Sequence, residues 1–150
     1  METKHIETQL LIRVSAEKVF NAFIDPSITT NFWYTKSSGK LEAGKTVVWE
    51  WEMYGAKDEV QVLDVDPGKT IKIVWGDPKS KVDFTFEEFA TDQTLVKIKC
   101  YDFEHPEADL LPTMLDYISG FTTVLDGLKA YLEHGINLNL IADKFPDKAK

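Results

Sequence analysis

The chain has 150 residues, 43% of them hydrophobic, 28% charged and 12% aromatic, with a net charge of −8. A chain of that size and balance reads as one soluble globular domain, 1–150. The excess of acid excludes nucleic acid and anionic membrane surfaces as partners, because both are held by Lys and Arg, and no apolar run approaches the ~20 residues that cross a membrane.

Met1 to Arg13 lacks the charged, apolar and small-residue succession of a signal peptide and reads as strand. Ile6, Thr8, Leu10, Ile12 and Val14 alternate with polar residues, apart from Leu11, which predicts a first strand with one buried face. Ser15 is a helix N-cap, and Ala16–Ile24 a short helix burying Val19, Phe20 and Phe23. Asp25-Pro26 repeats that start signal and predicts a second short helix over Pro26–Phe32, ended by Trp33 and Tyr34.

From Lys36 to Tyr101 the period is two. A short piece near Lys36–Leu41 and turns at Gly39 and Gly44 lead into a strand with Val47, Trp49, Trp51 and Met53 on one face and Glu50 and Glu52 on the other. Gly55-Ala56-Lys57 turns the chain; Val60 and Val62 continue the inner face, and Leu63 with Val65 predicts a bulge or a switch of face. Asp66-Pro67-Gly68, Gly76-Asp77-Pro78 and Thr91-Asp92 are turns. Between them Ile71, Ile73 and Trp75, then Val82, Phe84 and Phe86, then Val96, Ile98 and Cys100 face inward. Hairpin succession makes this an antiparallel sheet of six to seven strands.

Asp102 to Leu111 is polar and reads as a loop. From Thr113 to Gly135 the apolar residues Met114, Ile118, Phe121, Leu125, Leu128 and Leu132 are spaced by four and three, one face of an α-helix. Tyr117, Val124 and Tyr131 widen that stripe; Asp116, Asp126, Lys129 and Glu133 are left to water. Pro112 fits just before the helix and Gly135 just after it. The tail from 138 to 150 is expected to be packed or partly disordered: its apolar start pins it to the body, Phe145-Pro146 anchors it, and Asp147–Lys150 frays. Strand, two short helices after it, an antiparallel sheet and one long C-terminal helix define an α+β helix-grip: a curved sheet around a helix, with a mouth between them suited to a ligand.

Three stretches carry a resemblance. Val14-Ser15-Ala16-Glu17-Lys18-Val19-Phe20-Asn21-Ala22-Phe23 with Asp25-Pro26, and Val62-Leu63-Asp64-Val65-Asp66-Pro67-Gly68-Lys69 leading to Trp75, resemble the opening and central hairpin of START-like (SRPBCC) proteins. Gly120-Phe121-Thr122-Thr123-Val124-Leu125-Asp126-Gly127-Leu128-Lys129-Ala130-Tyr131-Leu132-Glu133-His134-Gly135 is similar to the closing helix of one branch of that superfamily, the C-terminal domain of the activator of the heat-shock-protein-90 ATPase. That family usually has tryptophan where Phe121 stands and a Gly-Gly pair where Ala43-Gly44 stands. The resemblance implies the helix-grip fold and, for function, a choice among lipid carriers, receptors, polyketide cyclases and co-chaperone domains. The eukaryotic co-chaperone's separate N-terminal domain finds no room in 150 residues.

The aromatic set is the main functional lead. Trp49, Trp51, Trp75, Phe84, Phe86 and Phe121, with Tyr117, Val124 and Leu125 from the helix and Trp33 or Tyr34 near the entrance, either line a pocket for an apolar or aromatic ligand or fill the core outright. Gly120 and Gly127, seven apart on the long helix, either make room for that ligand or let helix and sheet pack closely. Of the carboxylates, Glu50, Glu52, Glu87, Glu88, Asp58 and Glu59, those alternating with apolar residues belong on the solvated face. Asp102 to Asp109 sets acids around His105, but the spacing fits no EF-hand or zinc site, so no metal is assigned. His134 complements the end of the helix dipole, and His5 stands at the start of a strand. Cys100 is inward-facing, without an adjacent base, and as a lone cysteine suits a reducing cytoplasm. No G-x-S-x-G and no glycine-rich phosphate loop is present, so no cofactor is assigned.

The expectation is a cytoplasmic, non-catalytic protein that binds a small hydrophobic or aromatic molecule between helix and sheet, with a stress or co-chaperone-like role implied by the resemblance. The alternatives are a polyketide cyclase- or hydrolase-like enzyme, which would use Tyr117 or Tyr131 in acid–base work, and an interaction module with a filled core, partnered by a chaperone or a second copy of itself.

Overall fold

The computed structural model describes residues 4–146. In chain order the elements are β1 (His5–Ile12), α1 (Ala16–Ile24), α2 (Pro26–Thr29), β2 (Lys36–Ser37), β3 (Thr46–Trp51), β4 (Ala56–Asp66), β5 (Thr70–Trp75), β6 (Ser80–Ala90), β7 (Gln93–Tyr101), α3 (Glu107–His134) and α4 (Leu140–Lys144). All seven strands form one antiparallel sheet in the order β1-β7-β6-β5-β4-β3-β2. The α+β helix-grip architecture is therefore present, with α3 as the gripped helix.

Local chemistry accounts for the first elements. The Ser15 side chain accepts from Lys18 N, and the Asp25 side chain accepts from Ser27 N ahead of Pro26. Helix α2 is one turn, shorter than the expected Pro26–Phe32. Phe20 is only partly buried, resting edge-on against Phe86 at 5.7 Å, while Ala22 joins Val19 and Phe23 in the core.

Alternation along the sheet holds strand by strand. Val47, Trp49 and Trp51, Val60 and Val62, Ile71, Ile73 and Trp75, Val82, Phe84 and Phe86, and Val96, Ile98 and Cys100 are all buried on the concave face. The expected bulge lies between Val62 and Asp64 and leaves Leu63 exposed. Strand β3 stops at Trp51, because Glu52–Tyr54 forms a 3-10 turn into Gly55, whose φ of +63° suits glycine. Met53 therefore leaves the strand face on which alternation had placed it.

The largest difference concerns α3. It begins at Glu107, so the segment expected as loop through Leu111 is helical from Glu107 onward, and Pro112 lies inside the helix. A proline there forfeits one backbone hydrogen bond. Burial of Leu110 and the acids Glu107 and Asp109 in the first turn favour the extension. The other end is tied to β1. Glu133 Oε2 accepts from Arg13 N at 2.9 Å and from Lys129 Nζ at 2.6 Å, and Lys129 also donates to Leu11 O at 3.0 Å. Glu133, expected in water, has a side chain only 11% exposed. Among the strands, α3 approaches β1 most closely. This off-centre seat leaves the β3–β5 side of the concave face less covered.

The tail contributes structure as well. After Gly135 caps α3 in the left-handed conformation, the chain returns as α4. The Tyr54 hydroxyl lies 3.1 Å from Ile141 O and 2.6 Å from Phe145 O, and its single proton is shared between those carbonyls. The expected fraying of Asp147–Lys150 lies outside the described residues.

Candidate functional site

On the less covered side an opening of about 240 Å³ separates α3 from the sheet. Its floor is Trp33, Trp51, Trp75 and Phe121, and its walls are Tyr54, Tyr117, Gly120, Ala56 and Asp58, with Asp116 at one edge. Ile141 and Phe145 from the tail complete it. The volume exceeds the ~150 Å³ of an apolar cavity that takes up benzene, and lies just below the ~300 Å³ at which drug-sized pockets begin.

Trp75 organises the rings. Its ring centre lies 5.6 Å from Tyr117 and from Phe121, 6.1 Å from Trp33 and 6.3 Å from Trp51, all at tilted or edge-on angles. Register explains the cluster: Trp75 pairs with Val60 across β4, at the end of β5 nearest the middle of α3. Its indole N–H is buried with no hydrogen-bond partner among the described residues. An orphaned donor of this kind costs about 1–3 kcal/mol.

The residues named from sequence divide into two groups. Trp33, Trp51, Trp75, Tyr117 and Phe121 meet at the opening. Trp49, Phe84, Phe86, Val124 and Leu125 are packed in the core away from it. Trp49 is 1% exposed beneath Tyr34, the two rings stacked at 4.8 Å and 20°. Tyr34 is thus a core residue rather than an entrance residue. Tyr131 does not line the opening, whereas Tyr117 does, and burial pushes the Tyr117 hydroxyl up to about 12.

The two glycines part company. A β-carbon on Gly127 would sit 3.2 Å from Phe32 Cβ and 3.3 Å from Phe32 O, so this glycine serves close packing. A β-carbon on Gly120 would meet nothing within 4 Å, and Gly120 borders the opening.

Sequence reasoning missed Tyr54, Ala56, Asp58, Asp116, Ile141 and Phe145 at this opening. One signal was available for Asp58. It lies two residues before Val60 and four before Val62, and so shares their inward face. It is half-buried, and burial raises its pKa. Its neighbour Lys57 points to the convex face, 3.7 Å from Glu50, which also has Lys36 at 3.8 Å. Among the described residues no cation and no hydrogen-bond donor reaches the Asp58 carboxylate.

The remaining candidates lie elsewhere. Cys100 is buried, its thiol pushed up to about 11 by burial, with Sγ 3.5 Å from Ser80 Oγ. His105 packs against Phe103 and Tyr117, its Nδ1 buried with no hydrogen-bond partner among the described residues. Among the described residues no group of three His, Cys, Asp or Glu is placed to hold a metal, and no helix is long and apolar enough to cross a membrane.

An antiparallel sheet closed over one long helix, with an aromatic opening at their mouth, defines the START-like class of helix-grip domain. Within it, the chain belongs to the family described as activator of Hsp90 ATPase homolog 1-like protein, whose model matches residues 13–133. Among solved structures it is similar to protein SSP2350 from Staphylococcus saprophyticus, at 32% identity over 90% of this chain and 96% of that one, with a TM-score of 0.79. The Aha1 dimer from Colwellia psychrerythraea is similar at 22% identity, 88% and 98% coverage and a TM-score of 0.74. CalU16 from Micromonospora echinospora is similar at 18%, 93% and 81%, and 0.72. The last two likenesses speak to the fold alone. No functionally curated protein matches the chain.

Proposed function

We propose that this protein binds a small, largely apolar or aromatic molecule in the opening between α3 and the β3–β5 side of the sheet, without transforming it. The observation that carries the reading is the opening itself: about 240 Å³, floored by Trp33, Trp51, Trp75 and Phe121 in a domain that otherwise fills its core with large side chains. Where these rings border the opening they forgo dispersion contacts on that side, which a flat ligand of one or two fused rings would restore. Gly120 supports the reading, because a helix interior tolerates glycine at roughly 1 kcal/mol and a β-carbon there would meet nothing within 4 Å among the described residues. A stress or co-chaperone-like role in the cytoplasm has the family as its support.

The test is native mass spectrometry of the protein as purified from cells, set against its denatured mass, for the natural chain and for Gly120→Leu. The reading expects an extra non-covalent mass on the natural chain that Gly120→Leu loses while remaining folded. An adduct retained in full by Gly120→Leu would place the ligand elsewhere.

A further inference from the structure

The opening contains one group that a purely apolar ligand would not use. Alternation along β4 places Asp58 on the concave face with Val60 and Val62, both of which are buried and apolar. A carboxylate there is half out of water, and no cation or donor of the described residues compensates it. The sequence supplies a lysine next to it, yet Lys57 is engaged by Glu50 on the opposite face. The other charged groups around Asp58 are Glu59, Asp77, Lys57 and Lys79, which line an adjoining pocket that shares Asp58 and Trp75 with the opening, and Asp116, which is exposed and lines the opening from α3. Within the opening itself the ionised groups are therefore acids, Asp58 and Asp116, and they line it together with the rings of Trp51, Trp75 and Tyr117.

We propose that the ligand of this opening is an organic cation, an aryl- or alkylammonium whose charged head sits at Asp58 and whose body lies against Trp51, Trp75 and Tyr117. This rests on the reading of the opening as a ligand site and specifies its chemistry. The three ligand charges are unequal in such a place. A cation meets both a carboxylate short of a partner and the negative faces of aromatic rings, which attract cations most when water is excluded. A neutral ligand would strip water from Asp58 and return nothing. An anion would oppose two carboxylates and the ring faces together. The net charge of −8 adds a long-range bias in the same direction.

The experiment titrates the whole protein at neutral pH and low salt with phenyltrimethylammonium and, separately, with its neutral isostere tert-butylbenzene, followed by tryptophan fluorescence. The expected result is that the ammonium binds at least roughly tenfold more tightly than the isostere, a factor equivalent to about 1.4 kcal/mol. Asp58→Asn, with its circular dichroism unchanged, should lose that preference through weaker ammonium binding, its affinity for the isostere being no lower. The inference is overturned, with the ligand site left standing, if the isostere binds the natural protein as tightly as the ammonium does. It is equally overturned if Asp58→Asn binds the ammonium unchanged. Binding of neither probe would remove the site reading and this inference together. The comparison of the two probes on the natural protein needs no variant, so it decides the matter even where Asp58→Asn fails to fold.

Discussion

Gly120 and Gly127 share a helix and a composition argument, but their surroundings give them opposite tolerances. Alanine in place of glycine gains up to about 1 kcal/mol in a helix interior. At Gly120 the new methyl meets nothing within 4 Å, so Gly120→Ala should raise the unfolding free energy by about 0.5–1 kcal/mol. At Gly127 the methyl presses on Phe32 Cβ and on the Phe32 carbonyl oxygen, a backbone atom that cannot swing aside, and Gly127→Ala should lower stability in spite of the helical gain. Urea denaturation of both variants checks the pair; equal shifts of one sign would mean that α3 does not sit as described. Asp58 makes a second prediction at this scale. Burial raises its pKa in the folded state above the unfolded value, so the folded protein binds that proton more tightly than the unfolded chain does. The resulting penalty is present above the folded pKa and fades as pH falls through it. Asp58→Asn should therefore melt higher than the natural protein near pH 7, with the difference closing in acid. A difference independent of pH would separate the effect from ionisation. A residue that costs stability at its own position is what a binding site retains.

Elements differ in how plainly their sequences announce them. The strands from Thr46 to Tyr101 were legible because alternation and turn chemistry agree: Asp66-Pro67-Gly68 turns with Gly68 at φ +74°, and Thr91-Asp92 turns with Asp92 at φ +54°. The start of α3 was not legible, because Pro112 is a stronger local signal than Pro106 followed by Glu107 and Asp109, and only tertiary burial of Leu110 decides between them. The walls of the opening were hidden for a different reason. Tyr54 is aimed by a 3-10 turn and Ile141 and Phe145 by the returning tail, so no periodicity leads to them. That tail hangs on the Tyr54 hydroxyl. Tyr54→Phe removes the proton shared by Ile141 O and Phe145 O, a loss of about 1 kcal/mol. It should speed amide hydrogen exchange over residues 140–146 while leaving the exchange of β5–β7 unchanged. Unaltered exchange in the tail would show that apolar contacts alone hold α4.

At the scale of the whole molecule, the position of α3 sets where a ligand can go. The Glu133–Lys129–Arg13 contacts draw the helix toward β1, so the core closes beneath Trp49, Phe84 and Phe86 and stays open beside Trp75. The aromatic residues were visible in the sequence as a set; which of them face an opening was not, since Trp49 and Trp51 share a strand face and differ only in what covers them. The four tryptophans therefore form a built-in comparison: Trp33, Trp51 and Trp75 line the opening, and Trp49 lies stacked under Tyr34. The most direct measurement is a nitrogen-15 NMR titration that follows the four indole N–H signals as a small aromatic such as indole is added. The account predicts that the signals of Trp33, Trp51 and Trp75 move together while Trp49 stays in place, and that Gly120→Leu suppresses the movement. Four stationary signals, or a Trp49 signal that moves with the rest, would contradict it.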